Sequence, residues 1–128
     1  MKLLSSSKGE IAQLKVQIRA AEKNLISSIP QTEVQYDIIL DDNINKKIYR
    51  AQIKFCDRKH GNNLQLNLCD TDGKRNHYTS DDIDILLVFL SKVDKILIYN
   101  SKKFHKKTSI QINLNDKKSP HYFEKYIW

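Results

Sequence analysis

The sequence predicts a mixed α/β domain in which an N-terminal helix packs on a mixed, mostly antiparallel β-sheet. Three observations carry this. Apolar residues recur at helical spacing only near the N-terminus. From residue 25 onward the apolar period changes to two, as half-buried strands require. One later segment, Ile85–Leu90, is an unbroken apolar run that fits a central strand buried on both faces.

Residues 8–24 are expected to form the helix. Ile11, Leu14, Ile18 and Ala21 make one apolar stripe, and Ser7 with Glu10 fits a Ser-x-x-Glu capping box at its start. Leu25–Pro30 is a short strand. Val34–Asp42 is a second, with Tyr36, Ile38 and Leu40 on one face and Asp37, Ile39 and Asp41 on the other. Asp42-Asn43-Ile44-Asn45 is a hairpin turn, so Asp41 and Asp42 are turn residues before they are ligands. Lys47–Phe55 is the third strand, dividing Tyr49, Ala51, Ile53 and Phe55 from Ile48, Arg50, Gln52 and Lys54.

In Asn63–Asp70, Leu64, Leu66 and Leu68 alternate with Gln65 and Asn67, and Asp72-Gly73 is a turn. Ser80–Asp84 forms a short helical turn. Lys95–Tyr99 pairs with Ile85–Leu90 through a hairpin at Ser91–Asp94. In Thr108–Leu114, Ile110, Ile112 and Leu114 point inward and Ser109, Gln111 and Asn113 outward. The tail, His121–Trp128, forms a short helix too apolar to be left in water, and docks on the domain or on a neighbouring subunit.

The 128 residues suit one domain, 1–128, with an apolar tail over 120–128, and only three glycines and two prolines leave no linker to divide it. No run approaches the roughly 18 apolar residues of a membrane-spanning helix, and no signal peptide is evident, so a cytoplasmic protein is expected. Cys56 and Cys69 lack metal or disulfide spacing and are expected to be reduced thiols. The 22 Lys and Arg against 15 Asp and Glu give a formal charge of +7, which points to a polyanionic partner, with nucleic acid first.

The residues that carry chemistry are Asp37, Gln52 and Lys54. A hairpin over residues 42–46 makes their strands antiparallel neighbours and gathers a carboxylate, an amide oxygen and an ammonium. Such a set can hold a hard divalent cation against a phosphate, and an ammonium there can stabilise charge that develops on the phosphate. Taken alone, Lys54 reads as an ordinary solvent-facing lysine; its register with Gln52, after Asp37, favours the catalytic reading. The four histidines have no metal spacing. His60-Gly61-Asn62-Asn63 lacks the zinc setting of an HNH nuclease, and Asp70-Thr71-Asp72-Gly73 lacks the terminal Glu of a calcium loop.

Tyr36-Asp37-Ile38-Ile39-Leu40 followed by Arg50-Ala51-Gln52-Ile53-Lys54-Phe55 resembles the PD-(D/E)XK nuclease motif. With the helix from Gly9 to Val16 upstream and Tyr78–Asp84 downstream, residues 8–114 resemble the small PD-(D/E)XK homing endonucleases encoded in cyanobacterial group I introns. The resemblance implies a restriction-endonuclease-like core and a Mg²⁺-dependent (or Mn²⁺-dependent) endonuclease acting on double-stranded DNA in a bacterial cell interior, with no small-molecule cofactor. It makes Asp37 the metal carboxylate, Lys54 the motif lysine, Glu10 a supporting acid and the carbonyl of Ile53 a further ligand. Two positions depart from the motif: Tyr36 stands where Pro is usual, and Gln52 where the second acid is usual.

Basic residues flank strands whose outer faces carry Gln and Asn. Lysines neutralise phosphates, and Gln and Asn can read adenine in the major groove. Candidate DNA contacts are Arg50, Arg58, Lys59, Gln65, Asn67, Lys74, Arg75, Asn76, His77, Tyr78, Gln111 and Asn113. Arg50 serves equally as a sheet-surface residue, and Glu10 equally as the capping partner of Ser7. Because one site cuts one strand, at least a homodimer is expected, and a tetramer fits a long recognition site. The competing readings are a junction-resolving or repair nuclease of the same fold, and a DNA-binding module whose chemistry lapsed with Gln52.

Overall fold

The computed structural model describes residues 2–61, 63–68 and 77–128. The elements run α1 (Ser5–Glu22), β1 (Ile26–Ser28), β2 (Ile38–Asp42), β3 (Lys47–Cys56), β4 (Lys59–His60), β5 (Asn63–Asn67), β6 (Ile85–Leu90), β7 (Lys95–Tyr99), α2 (Ser101–Phe104), β8 (Ser109–Asn113) and a 3₁₀ turn at Phe123–Tyr126. Five strands form one sheet in the order β1-β2-β3-β6-β7, and three form a second in the order β4-β5-β8. The β3–β6 pair is parallel and every other pair antiparallel, which is the expected mixed, mostly antiparallel sheet carrying an N-terminal helix.

The central strand β6 divides the core. Ile85, Leu87 and Phe89 join Ala12, Val16, Ala20, Ala51 and Ile53 under α1. Leu86, Val88 and Leu90 join Cys56, Leu64, Leu66, Ile110, Ile112 and Phe104 on the other face. All six β6 residues are buried, so the apolar run has apolar neighbours on both sides. Leu87 is fully buried. Leu87→Ala is expected to lower stability by about 2–5 kcal/mol, measured by denaturant unfolding, since it removes a core side chain and leaves a cavity.

The helix differs from expectation in two ways. It starts at Ser5 after an extended Leu4 that makes no side-chain cap, so Ser7 lies inside the helix and the Ser7–Glu10 capping box does not form. The first backbone bond, from the Lys8 N–H to the Leu4 carbonyl (3.0 Å), carries the helix a turn upstream of Ser7. The buried stripe is Ala12, Val16 and Ala20, while Leu14 and Ile18 are 52% and 59% exposed. Small residues let α1 settle closely on Ile53, Leu87 and Phe89; the bulkier stripe would hold it away.

The β2–β3 hairpin forms as expected. The Asp42 carboxylate accepts the N–H groups of Ile44 (3.2 Å) and Asn45 (3.0 Å), so Asp42 shapes the turn. The tail docks on its own domain: Tyr122 and Phe123 are buried, and the Trp128 N–H donates to the Ile96 carbonyl at 2.9 Å. Cys56 is buried, and burial pushes its thiol up to about 11, which keeps it an unreactive thiol; Cys69 lies outside the described residues. No helix among those residues is long and apolar enough to cross a membrane.

Candidate active site

Asp37 sits one residue before β2, where the ladder to β3 begins. Its N–H donates to the Ala51 carbonyl at 2.9 Å. The pair Ile38–Ala51 opens the register, so Asp37 stands opposite Gln52. Ile38 and Ala51 face α1; alternation therefore turns Asp37, Gln52 and Lys54 to the other face, beside Leu86 and Val88 of β6.

The Ile53 N–H donates to Asp37 Oδ2 at 2.9 Å. Both backbone groups of a strand residue leave on the same edge, so the Ile53 carbonyl opens into the space beside this carboxylate. Burial holds the Asp37 carboxyl above its ordinary value, against the opposing pull of the Ile53 N–H and of the Lys54 charge. A half-buried carboxylate, costly to charge and lying beside an ammonium, is a common mark of a functional site. The Lys54 ammonium lies 5.2 Å from the centre of the Tyr78 ring, which fixes one wall for it.

Glu10 is less closely tied. It is exposed on α1 and has no hydrogen bond or ion pair to Asp37, Gln52 or Lys54. Lys15 reaches Asp94 and the Phe89 ring, so the Lys8–Lys15 flank looks toward β6. Glu10, with Gln13 and Gln17, lies on the opposite flank of a helix that covers the sheet face away from Asp37, Gln52 and Lys54, so the structure does not bring it together with them.

Arg50 is already engaged. Its Nη2 and Nε donate to the two Asp84 oxygens at 3.0 and 3.2 Å, and its Nη1 donates to the Asp81 carbonyl at 2.7 Å. The Arg50 backbone N–H also donates to Asp84 Oδ2 at 2.7 Å. These bonds to Arg50 hold the Asp84 carboxyl below its ordinary value. Asp84 immediately precedes β6, so the clamp sets the register of β6 against β3. Of the two roles expected for Arg50, these bonds show the structural one at the sheet surface, and Asp84 is a residue that sequence reasoning missed.

The remaining expected contacts divide. On β5 and β8, Gln65 stands opposite Gln111, Asn63 opposite Asn113, and Asn67 opposite Ser109. Arg58 and Lys59 are exposed just after β3. Asn113 is engaged in the turn that follows it, where its Oδ1 accepts the Asn115 and Asp116 N–H groups at 2.9 and 2.6 Å. His77 has its Nε2 buried, with no hydrogen-bond partner among the described residues, which turns the ring into the protein. Lys74, Arg75 and Asn76 lie outside the described residues.

Among the described residues no three His, Cys, Asp or Glu side chains cluster as a metal cage. The oxygen set present (one carboxylate, one amide, one strand carbonyl) still fits Mg²⁺, which is commonly held by one or two carboxylates and completed by substrate phosphate.

A family model described as PD-(D/E)XK endonuclease matches residues 4–127. Among solved structures, the chain is similar to that titled "The structure of a bacterial homing endonuclease: I-Ssp6803I", at 17% identity and a TM-score of 0.80, over 96% of this chain and 88% of that one. No curated protein matches the sequence.

Proposed function

The chain belongs to the PD-(D/E)XK endonuclease family, and from that premise we propose that it is a site-specific, Mg²⁺- or Mn²⁺-dependent endonuclease that hydrolyses phosphodiester bonds in double-stranded DNA. The observation that carries the reading is the Asp37 carboxylate fixed on the Ile53 N–H at 2.9 Å, on the sheet face it shares with Gln52 and Lys54. Intron homing is the role this reading favours, supported by the fold shared with a bacterial homing endonuclease. Its place is then the interior of a bacterial cell, where the DNA lies.

In this reading Asp37 and the Ile53 carbonyl would hold the divalent ion, Gln52 would add a neutral oxygen, and Glu10 is the supporting acid that the family resemblance implies. When bound, such an ion polarises the phosphate and lowers the pKa of a water molecule. Lys54 meets the negative charge that grows on the phosphate oxygens. Arg50, through Asp84, keeps β3 and β6 aligned, which holds Gln52 and Lys54 beside Leu86 and Val88. Arg58, Lys59, Gln65, Asn67 and Gln111 supply DNA contacts, with Lys74 and Arg75 beside them. Two copies at least assemble on DNA, because one site cuts one strand.

Gln52 favours a second reading, a DNA-binding module whose chemistry has lapsed. A neutral amide holds a cation more weakly than a carboxylate does. Incubation of a randomised duplex library with Mg²⁺, beside a chelator control and a branched-DNA substrate, separates the possibilities. Metal-dependent cutting at one duplex sequence is the expected result. Cutting confined to branched DNA would move the assignment to a structure-selective nuclease, and binding without cutting would leave the module.

A further inference from the structure

We propose that Gln111 reads an adenine in the major groove, and that Asn113 and Asn63 hold its amide in the reading orientation. The inference rests on the DNA-binding reading above and assigns one base contact within it.

The N–H groups of Asn115 and Asp116 point at the Asn113 side chain, at 2.9 and 2.6 Å. A backbone N–H only donates, so the Asn113 amide must turn its oxygen toward them and its nitrogen away. That nitrogen donates to Asn63 Oδ1 at 2.8 Å. Asn63 in turn has its nitrogen on the far side, where it donates to Gln111 Oε1 at 3.3 Å. The direction of each amide follows from the one before it, and a turn after β8 thereby orients a side chain on the open face of the β5–β8 ribbon.

Gln111 is exposed, and the relay uses one lone pair of its oxygen. The other lone pair and the Nε2 hydrogens have no partner among the described residues, leaving an acceptor and a donor side by side in a fixed order. Adenine offers the matching pair in the major groove, an N6 donor beside an N7 acceptor; guanine offers two acceptors there. A two-stranded ribbon fits that groove, and β5 with β8 has that form apart from the two-residue β4 at its edge. Exposed lysines stand at both ends of β8, Lys106 and Lys107 before it and Lys117 and Lys118 after it, placed to take phosphates. The same bonds join β5 to β8, and a reader ordered before binding has less freedom to lose.

The test selects bound duplexes from a randomised library with the full-length protein in a chelating buffer, so that no cutting occurs, and sequences them. The wild-type protein is expected to enrich adenine at a defined position. Gln111→Ala should lower that enrichment about tenfold, the scale of one bidentate base contact, and leave other positions intact. Asn63→Asp still accepts from Asn113 but cannot donate to Gln111. It should erase the same position, while its added charge weakens all sequences alike. A Gln111→Ala profile that overlays the wild type, an affected position that prefers another base, or a wild-type protein that selects no sequence would each overturn the inference. Cleavage with Mg²⁺ is scored separately. Selection without cleavage removes the nuclease reading and keeps this one; cleavage with an unchanged Gln111→Ala profile does the reverse.

Discussion

Asp37→Asn is expected to abolish cleavage and, in the same molecule, to stabilise the metal-free protein at neutral pH. The two effects share one cause. The Asp37 carboxyl is half-buried, and its loss of water outweighs the help it receives from the Ile53 N–H and from Lys54, so its folded-state pKa is raised. Raised means that ionising Asp37 is harder in the folded chain than in the unfolded one. The stability it can contribute is fully present below the unfolded value and is lost as pH rises through the folded value. At neutral pH the wild-type protein therefore carries a charge that opposes folding. Asparagine has the same shape, its oxygen can still accept from Ile53, and it has no charge to bury. The thermal midpoint in chelator should rise near pH 7, and the gain should shrink as pH falls through the raised value. Cleavage should fall by more than the roughly 10–100-fold that follows loss of an outer partner at a metal site, because a carboxylate in direct reach of the ion is removed. A variant no more stable than the wild type would remove the burial argument, and one that still cuts would remove Asp37 from the site.

The parts of this molecule that were legible in its sequence are those set by one-sided burial over short distances. Ile38 and Leu40 on β2, Leu64 and Leu66 on β5, and Ile110 and Ile112 on β8 alternate because each strand has one apolar face, and all six are buried. The hairpin that sets Asp37 opposite Gln52 was legible for the same reason, together with a turn of only a few residues. The phase of α1 was not, because hydrophobicity favours Leu14 and Ile18, whereas close approach to a sheet favours Ala12, Val16 and Ala20. The Arg50–Asp84 clamp and the Asn63–Asn113 bond span 34 and 50 residues. Each depends on which strand lies beside which, and no local spacing encodes that. Glu10 belongs with these: its helix was legible, but which sheet face α1 covers is not set by local spacing, and that face is the one away from Asp37.

Lys54→Ala should remove cleavage by about 10²–10³-fold, the range seen when a donor to developing charge is lost, while DNA binding changes little. Position matters here more than charge. The chain carries 22 Lys and Arg, so one fewer cation barely alters its attraction to phosphate, and binding falls by about one phosphate contact at most. Lys54 differs from the surface lysines in being half-buried on β3, near enough to Asp37 to pull its carboxyl down, and held over the Tyr78 ring at 5.2 Å. These contacts leave the ammonium few places to go, so its charge is already in place when the phosphate needs it. Lys54→Arg keeps the charge but replaces a compact ammonium with a broad planar fork that the same space does not fit. Its cleavage rate should lie between those of Lys54→Ala and the wild type. Rates from single-turnover cutting, set beside affinities for the same duplex, separate the two contributions. If Lys54→Ala lost affinity and rate in equal proportion, Lys54 would be a phosphate anchor and the charge-stabilising role would pass to another group; if Lys54→Arg matched the wild type, charge alone would suffice and the Tyr78 wall would have no part in the chemistry.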